Sequence, residues 1–348
     1  MNQTLNGIRR ILITILVAMG VGALFIIAIG ENPIDAYAAL FRGAFDGKLR
    51  LGTTLAGFTP LLLTSIAFAV AAKAGAFNVG VEGEVFLGGI TAAYIGINWT
   101  FLPKPALYVA CFVGAMVVAA AWAFIPAVLR AYYNVNEVCT TILMNTVALY
   151  ITSYLVSGPM SAGTANAQSL PVTVRLYQFM RPRSVNVGIF IAAITVIVII
   201  FMLQKSSWGY KIRTVGLNPT HADYVGIDSK KVFVGAMMLS GMLGGMAGCI
   251  EVLGVHGYFL NNFATGLGSN GMLAALIVKN NMVSTPFMAF FLAVLKSGAM
   301  GMQQSTGVPK SLVDTITAVF IIIATMETAF QFTKKRKKKT EGKKEDKA

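Results

Sequence analysis

Ala76-Phe77-Asn78-Val79-Gly80-Val81-Glu82-Gly83-Glu84 sets two carboxylates, an amide and glycines between long hydrophobic runs. An ionisable group at membrane depth is costly and marks a functional position by default. Backbone broken by glycine is tolerated at that depth only against protein or a water-filled cavity. The stretch therefore reads as a broken or closely packed helix within a membrane protein, with Asn78, Glu82 and Glu84 as functional candidates.

Outward from this stretch, the composition agrees. Of 348 residues, 56% are hydrophobic and 12% charged, with a mean hydropathy of +0.69. A soluble domain of this length needs far more surface charge. The apolar runs are about 20 residues long and do not alternate, which predicts an all-α, polytopic helical membrane protein. About ten transmembrane helices are expected, near 11–30, 52–72, 76–97, 106–129, 137–157, 186–204, 232–254, 267–281, 284–302 and 311–332, the eighth being short. Residues 1–332 read as one transmembrane domain and 333–348 as a basic, disordered tail. The net charge of +14 is concentrated there, since residues 331–348 hold nine Lys/Arg and three acids. Such a flank fixes orientation and attracts anionic lipid. No folded reader accompanies it, so nucleic acid is not an expected partner. An even number of spans places both termini in the cytoplasm. The run 11–29 is too long for a signal-peptide core and reads as a retained helix. Cys111, Cys139 and Cys249 lie in apolar runs without metal-ligand spacing.

Two connecting segments, 158–185 and 205–231, exceed ordinary loop length and read as non-helical. Within the second, Asn218 is a good N-cap, Pro219 suits the first helical position and Gly226 suits a left-handed end. They predict a helix of about two turns that is not stable alone. It either packs on its own domain or docks into a groove on a soluble partner. In the seventh span Ala236, Ser240, Gly244 and Gly248 form a small-residue face, with Gly241 and Gly245 beside it. Intrachain packing is the expected use, with a subunit interface as the alternative.

The sequence holds no HExxH, CxxC or GxSxG. Residues 43–49 fall one short of a phosphate loop and place Leu49 where Ser or Thr is required. Neither catalysis nor a bound cofactor is expected of this chain; ATP and Mg, if used, belong to another subunit. A second polar cluster follows Asn136: Glu137, Thr140, Thr141 and Asn145 fall near one helix face. Glu137 either stabilises a helix start or this face lines a polar path.

Four stretches carry a family resemblance: 76–89 (AFNVGVEGEVFLGG), 134–145 (NVNEVCTTILMN), 208–227 (WGYKIRTVGLNPTHADYVGI), and 233–248 ahead of 263–277. The chain resembles permease subunits of bacterial ABC importers in the branched-chain amino acid, ribose and nucleoside class, above all the nucleoside branch. The resemblance covers about residues 50–330. It implies a type II ABC importer-like permease in the bacterial cytoplasmic membrane, paired with a second permease subunit, commonly as a heterodimer. It also implies an ABC ATPase subunit and an extracytoplasmic substrate-binding protein, a lipoprotein in Gram-positive bacteria. The family's coupling helix, which docks on the ATPase, falls on 216–227 and thus on Gly216, Leu217, Asn218, Pro219, Ala222, Asp223, Tyr224 and Gly226. One departure is Val278-Lys279-Asn280-Asn281-Met282, which stands where the family has a glycine-containing turn.

The expected function is nucleoside import by alternating access, with a ribose or simple-sugar permease as the alternative. An uncharged nucleoside calls for aromatic faces with amide and hydroxyl partners. The expected path residues are Phe77, Asn78, Glu82, Glu84, Asn136, Glu137, Thr140, Thr141, Asn145 and Asn270, although Glu82 and Glu84 could instead shape the broken helix. A different class, an ion-coupled carrier, would use Glu82, Glu84 and Glu137 as ion sites.

Overall fold

The computed structural model describes residues 19–28, 30–180 and 185–306, together with positions 311, 314, 315 and 318. The tail 333–348 and nearly all of the tenth expected span lie outside the described residues, as does the first half of the first. The chain divides into two compact units, Gly47–Val294 and Met1–Asp46 with Leu295–Ala348.

The larger unit is helical. It contains α3 (Gly47–Lys73), α4 (Val81–Asn98), α5 (Lys104–Tyr133), α6 (Glu137–Ser157), α7 (Gly188–Lys205), α8 (Ser207–Leu217), α9 (Pro219–Tyr224), α10 (Ser229–Ile250), α11 (Leu267–Ile277) and the start of α12 (Thr285–Thr306). In the smaller unit, α1 (Met19–Ala28) and α2 (Pro33–Phe45) accompany the end of α12. There Ile26, Ala36, Leu40, Ala299 and Met302 form a small core, and the Tyr37 hydroxyl donates to the Met19 carbonyl at 2.6 Å.

Among the described residues, six helices are long and apolar enough to cross a membrane, or seven if the bent pair α1–α2 is one span. They match the spans expected near 52–72, 106–129, 137–157, 186–204, 232–254 and 284–302. The expected span at 76–97 begins helically only at Val81, after the polar break. The expected span at 267–281 is an 11-residue helix, too short to cross alone. The count of ten is therefore not reproduced within the described residues.

α10 is the central helix, packing on α3, α4 and α5. Its small residues make this possible within the chain. A Cβ at Gly241 would stand 2.6 Å from the Ala119 carbonyl of α5, and one at Gly244 would stand 2.8 Å from the Glu84 side chain of α4. Both sides of the small-residue stripe are thus occupied by the chain's own helices. α10 continues into a π-helical turn, Glu251–His256, ended by Gly257 at φ 78°.

The described residues of segment 158–185 are non-helical, as expected, and include a short pairing of β1 (Gln178–Met180) with β2 (Val185–Asn186). Its upstream part runs extended, with Val172, Val174 and Leu176 buried in alternation. Backbone N–H groups of Val172 and Leu176 donate to the carbonyls of Gly257 and Leu253 at 2.9 Å each, and that of Thr173 donates to Gly96 at 3.1 Å. The Gln178 side chain reaches the Gly254 carbonyl at 2.7 Å. The bonds to Leu253 and Gly254 satisfy carbonyls that the π turn leaves without helical partners.

Segment 205–231 differs from expectation, because α8 occupies 11 of its residues. Ser206 caps it, its hydroxyl accepting the Gly209 N–H at 3.0 Å. Gly209, Ile212 and Val215 then bury one face at i, i+3 and i+6.

The turn after α11 keeps left-handed backbone without glycine. Lys279 and Asn280 sit at φ 56° and 55°, and their N–H groups close the helix end onto Leu276 and Ala275. A left-handed non-glycine residue costs about 1–2 kcal/mol, partly offset in a glycine by chain entropy. Lys279→Gly is expected to stabilise the protein by about 0.5–1 kcal/mol, seen as a raised unfolding midpoint in detergent. A lowered midpoint would contradict this reading of the turn.

Candidate functional site

The polar break before α4 is built by side chains reaching in from distant elements. Asn78 turns the chain, its Oδ1 accepting the Gly80 N–H at 2.9 Å. Its Nδ2 donates to Glu84 Oε1 and to Ser240 Oγ of α10, each at 2.9 Å. Asn145 of α6 clamps the other side. Its Oδ1 accepts the Gly83 N–H at 2.7 Å and its Nδ2 donates to the Val79 carbonyl at 2.8 Å. Glu82 points towards the entrance of α11, where Oε1 accepts the Gly266 N–H at 3.0 Å and Oε2 the Ser269 hydroxyl at 3.4 Å. A Cβ on Gly268 would stand 2.7 Å from that of Glu82, which explains glycine at this contact.

The expected path residues therefore separate. Asn78 and Glu84 are each 1% exposed and bonded inside the protein, presenting no surface to a solute in this conformation. Thr141 is also buried, packed on Gly80. Phe77 sets its ring edge-on to Phe68, with centroids 5.0 Å apart. Asn136 caps α6, accepting from the N–H groups of Val138 and Cys139. Glu137 lies in the first turn and pairs with Arg130 at 3.1 Å, an acid at a helix N-terminus. Thr140 donates back to the carbonyls of Asn136 and Glu137. Asn270 bonds its own helix start through the Gly266 carbonyl. Glu82 is half-buried, next to the exposed Ser269. The partners Ser240 and Gly266 are 162 and 184 residues away from Asn78 and Glu82, and no local pattern announces them.

A second constellation lies at the α8–α9 end. Asn218 caps α9, accepting the His221 N–H at 3.0 Å, and Gly226 takes φ 79°. The helix has six residues rather than two full turns. Ala222 is its buried anchor. Asp223 accepts both the N–H and hydroxyl of Ser229 at 2.9 Å, tying α9 to the start of α10. The Lys231 N–H and side chain hold the neighbouring Asp228 carboxyl below its usual range. Leu217 and Tyr224 are 88% and 85% exposed, with Val225 exposed beside them. At Gly216 the backbone of α8 presses on the Lys73 carbonyl at the end of α3, where a Cβ would collide. The exposed knuckle is thereby in contact with the turn that leads to Asn78. Among the described residues no cluster of His, Cys, Asp and Glu could hold a metal ion.

The sequence model of the family described as branched-chain amino acid transport system permease component matches residues 50–325. The chain is 32% identical to the guanosine ABC transporter permease protein NupP of Bacillus subtilis, an alignment covering 94% of this chain and 96% of that protein. It is also 32% identical to the glucose ABC transporter permease protein TsgB13 of Haloferax volcanii, over 89% and 85% of the two chains. With the nucleoside ABC transporter permease protein NupB of Lactococcus lactis it shares 30% identity, over 92% and 91%.

If the break is held by Asn78, Asn78→Ala should cost about 3 kcal/mol, because it strips a buried carboxylate of its donor. Ser240→Ala should cost about 1 kcal/mol, removing one neutral acceptor. Thermal unfolding of the detergent-solubilised protein tests the ranking; equal or negligible shifts would contradict it.

Proposed function

The chain belongs to the family of branched-chain amino acid transport system permease components, and from that premise we propose that it forms the membrane passage of an ATP-driven importer of nucleosides. The identity to the guanosine and nucleoside permeases over nearly their whole lengths supports the solute class. The glucose permease relative, equally identical, supports a sugar as the second reading.

The observation that carries the mechanism is the exposed knuckle of Leu217, Tyr224 and Val225 on a chain with no ATP-binding phosphate loop of its own. Large apolar side chains standing free of their own domain mark a docking surface. In the proposed orientation this knuckle faces the cytoplasm, with both termini, and seats in an ABC ATPase subunit carrying ATP and Mg. A second permease subunit completes the passage, and an extracytoplasmic binding protein delivers the solute. Closure of the ATPase pair pushes α9; Asp223 passes the push to α10 and Gly216 passes it to the α3–α4 turn. Because Asn78 and Asn145 lock that turn to α10 and α6, the helices move together and not singly.

The carboxylates do not favour an ion-coupled carrier. Glu84 is sealed behind Asn78, Glu137 is paired with Arg130, and Glu82 holds backbone.

The double substitution Leu217→Ala with Tyr224→Ala alters only exposed atoms, so expression and thermal stability should stay near the parent's. Uptake of labelled guanosine by cells carrying the complete transporter should fall at least tenfold, by loss of a buried contact of about 2–4 kcal/mol. Unchanged uptake would overturn the docking role of this knuckle.

A further inference from the structure

α6 carries a polar arc that is exposed at Cys139, Thr146, Tyr150 and Ser157 and half-buried at Ser153. Counting about 100° per residue, Cys139, Thr146, Tyr150, Ser153 and Ser157 fall within an arc of roughly 60°. No aliphatic residue falls inside it. The opposite flank carries Met144, Val147, Ile151 and Leu155, while Thr141, Asn145, Ala148 and Thr152 pack inward. Thr146 is exposed and Tyr150 is 70% exposed. The Tyr150 hydroxyl makes no hydrogen bond to the described chain. It lies about 20 Å along a helix of about 31 Å, roughly 10 Å short of the C-terminal end. Hydrocarbon would leave that hydroxyl unsatisfied, so water, solute or protein must face it.

The neighbouring backbone points the same way. Residues 257–266 are not helical, yet they run from Ser153 of this arc to Glu82 of α4, between membrane-spanning helices. Asn261 Nδ2 donates to Ser153 Oγ at 3.2 Å. Gly266 is held by Glu82, beside Gly83 and its partner Asn145. Ser153 and Asn145 are about 12 Å apart along α6, and the irregular segment spans that interval. Asn262 and Thr265 are exposed on it, and the shielded Asn261 Oδ1 accepts no hydrogen bond. Irregular backbone with free polar groups between such helices belongs beside a wet cavity.

We propose that the solute passes along this wall, between the α6 arc and residues 261–269. Tyr150 offers an aromatic face to a base, and Thr146, Asn262, Thr265 and the Glu82–Ser269 pair offer partners to sugar hydroxyls. This rests on the permease reading and moves the path away from the sealed Asn78–Glu84 pair.

The test is cysteine accessibility in membrane vesicles holding the complete transporter. Cys139→Ala removes the one exposed native thiol among the described residues. Thr146→Cys, Tyr150→Cys and, as the lipid-facing control, Ile151→Cys are then treated with a charged, membrane-impermeant methanethiosulfonate. Modification at 146 and 150 should be at least tenfold faster than at 151, and saturating guanosine should slow it at least threefold. Fast modification slowed by glucose but not by guanosine would support the wall and overturn the nucleoside reading. Modification at 146 and 150 no faster than at 151 would overturn the wall, because lipid or a partner subunit would then cover the arc. Fast modification that neither solute slows would also overturn it.

Discussion

Polar backbone taken out of water must be satisfied from within the protein, and here that requirement falls on the break between α3 and α4 and on the first turn of α4. Gly80 and Gly83 have N–H groups, and Val79 a carbonyl, that the break leaves without helical partners. Two amide side chains answer them, Asn78 from the break itself and Asn145 from α6. Each amide uses its acceptor and its donor, so neither can be exchanged for an aliphatic residue without orphaning buried groups. Asn78 also supplies the hydrogen bond that makes the Glu84 carboxylate tolerable in an apolar surround. α4, α6 and α10 are thus fastened together at one point, by groups whose loss is more costly than their presence is stabilising.

The same point lies close to one of the routes from the exposed knuckle into the helices. Lys73, whose carbonyl meets Gly216 of α8, is five residues before Asn78. At its other end α4 is fastened again, where the extended segment bonds Gly96 and the π turn. A helix held at both ends by distant segments moves as a rigid lever when either end is displaced. The π turn closes on itself through Gly257 and Val252 and takes further partners for Leu253 and Gly254 from Leu176 and Gln178.

Much of this was legible from local pattern. Unbroken apolar length located the six long helices, and Asn218, Pro219 and Gly226 marked both ends of α9. The acid at Glu137 belongs to a helix start, one of its two open readings. What local pattern missed is non-local or short. α8 went unseen because its buried face is only Gly209, Ile212 and Val215, and its cap, Ser206, sits in a run of polar residues. α11 passed for a span because apolar composition continues through Val278, although two left-handed residues end the helix. The roles of Ser240, Gly266 and Asn261 depend on partners more than 100 residues away, which a single sequence does not reveal. The path residues separated for the same reason. Polarity at membrane depth singled out Asn78 and Glu84, but burial, which only packing determines, turned them into braces.

The central claim is that this polypeptide supplies a passage and the contact that moves it, while the work comes from a partner. Purified protein in liposomes measures this directly, with labelled guanosine outside and accumulation inside as the readout. The complete set of permease subunits, ATPase and binding protein should accumulate guanosine only when ATP reaches the ATPase. The permease subunits alone should accumulate none under a proton or sodium gradient. Gradient-driven accumulation by the permease subunits alone would contradict the account.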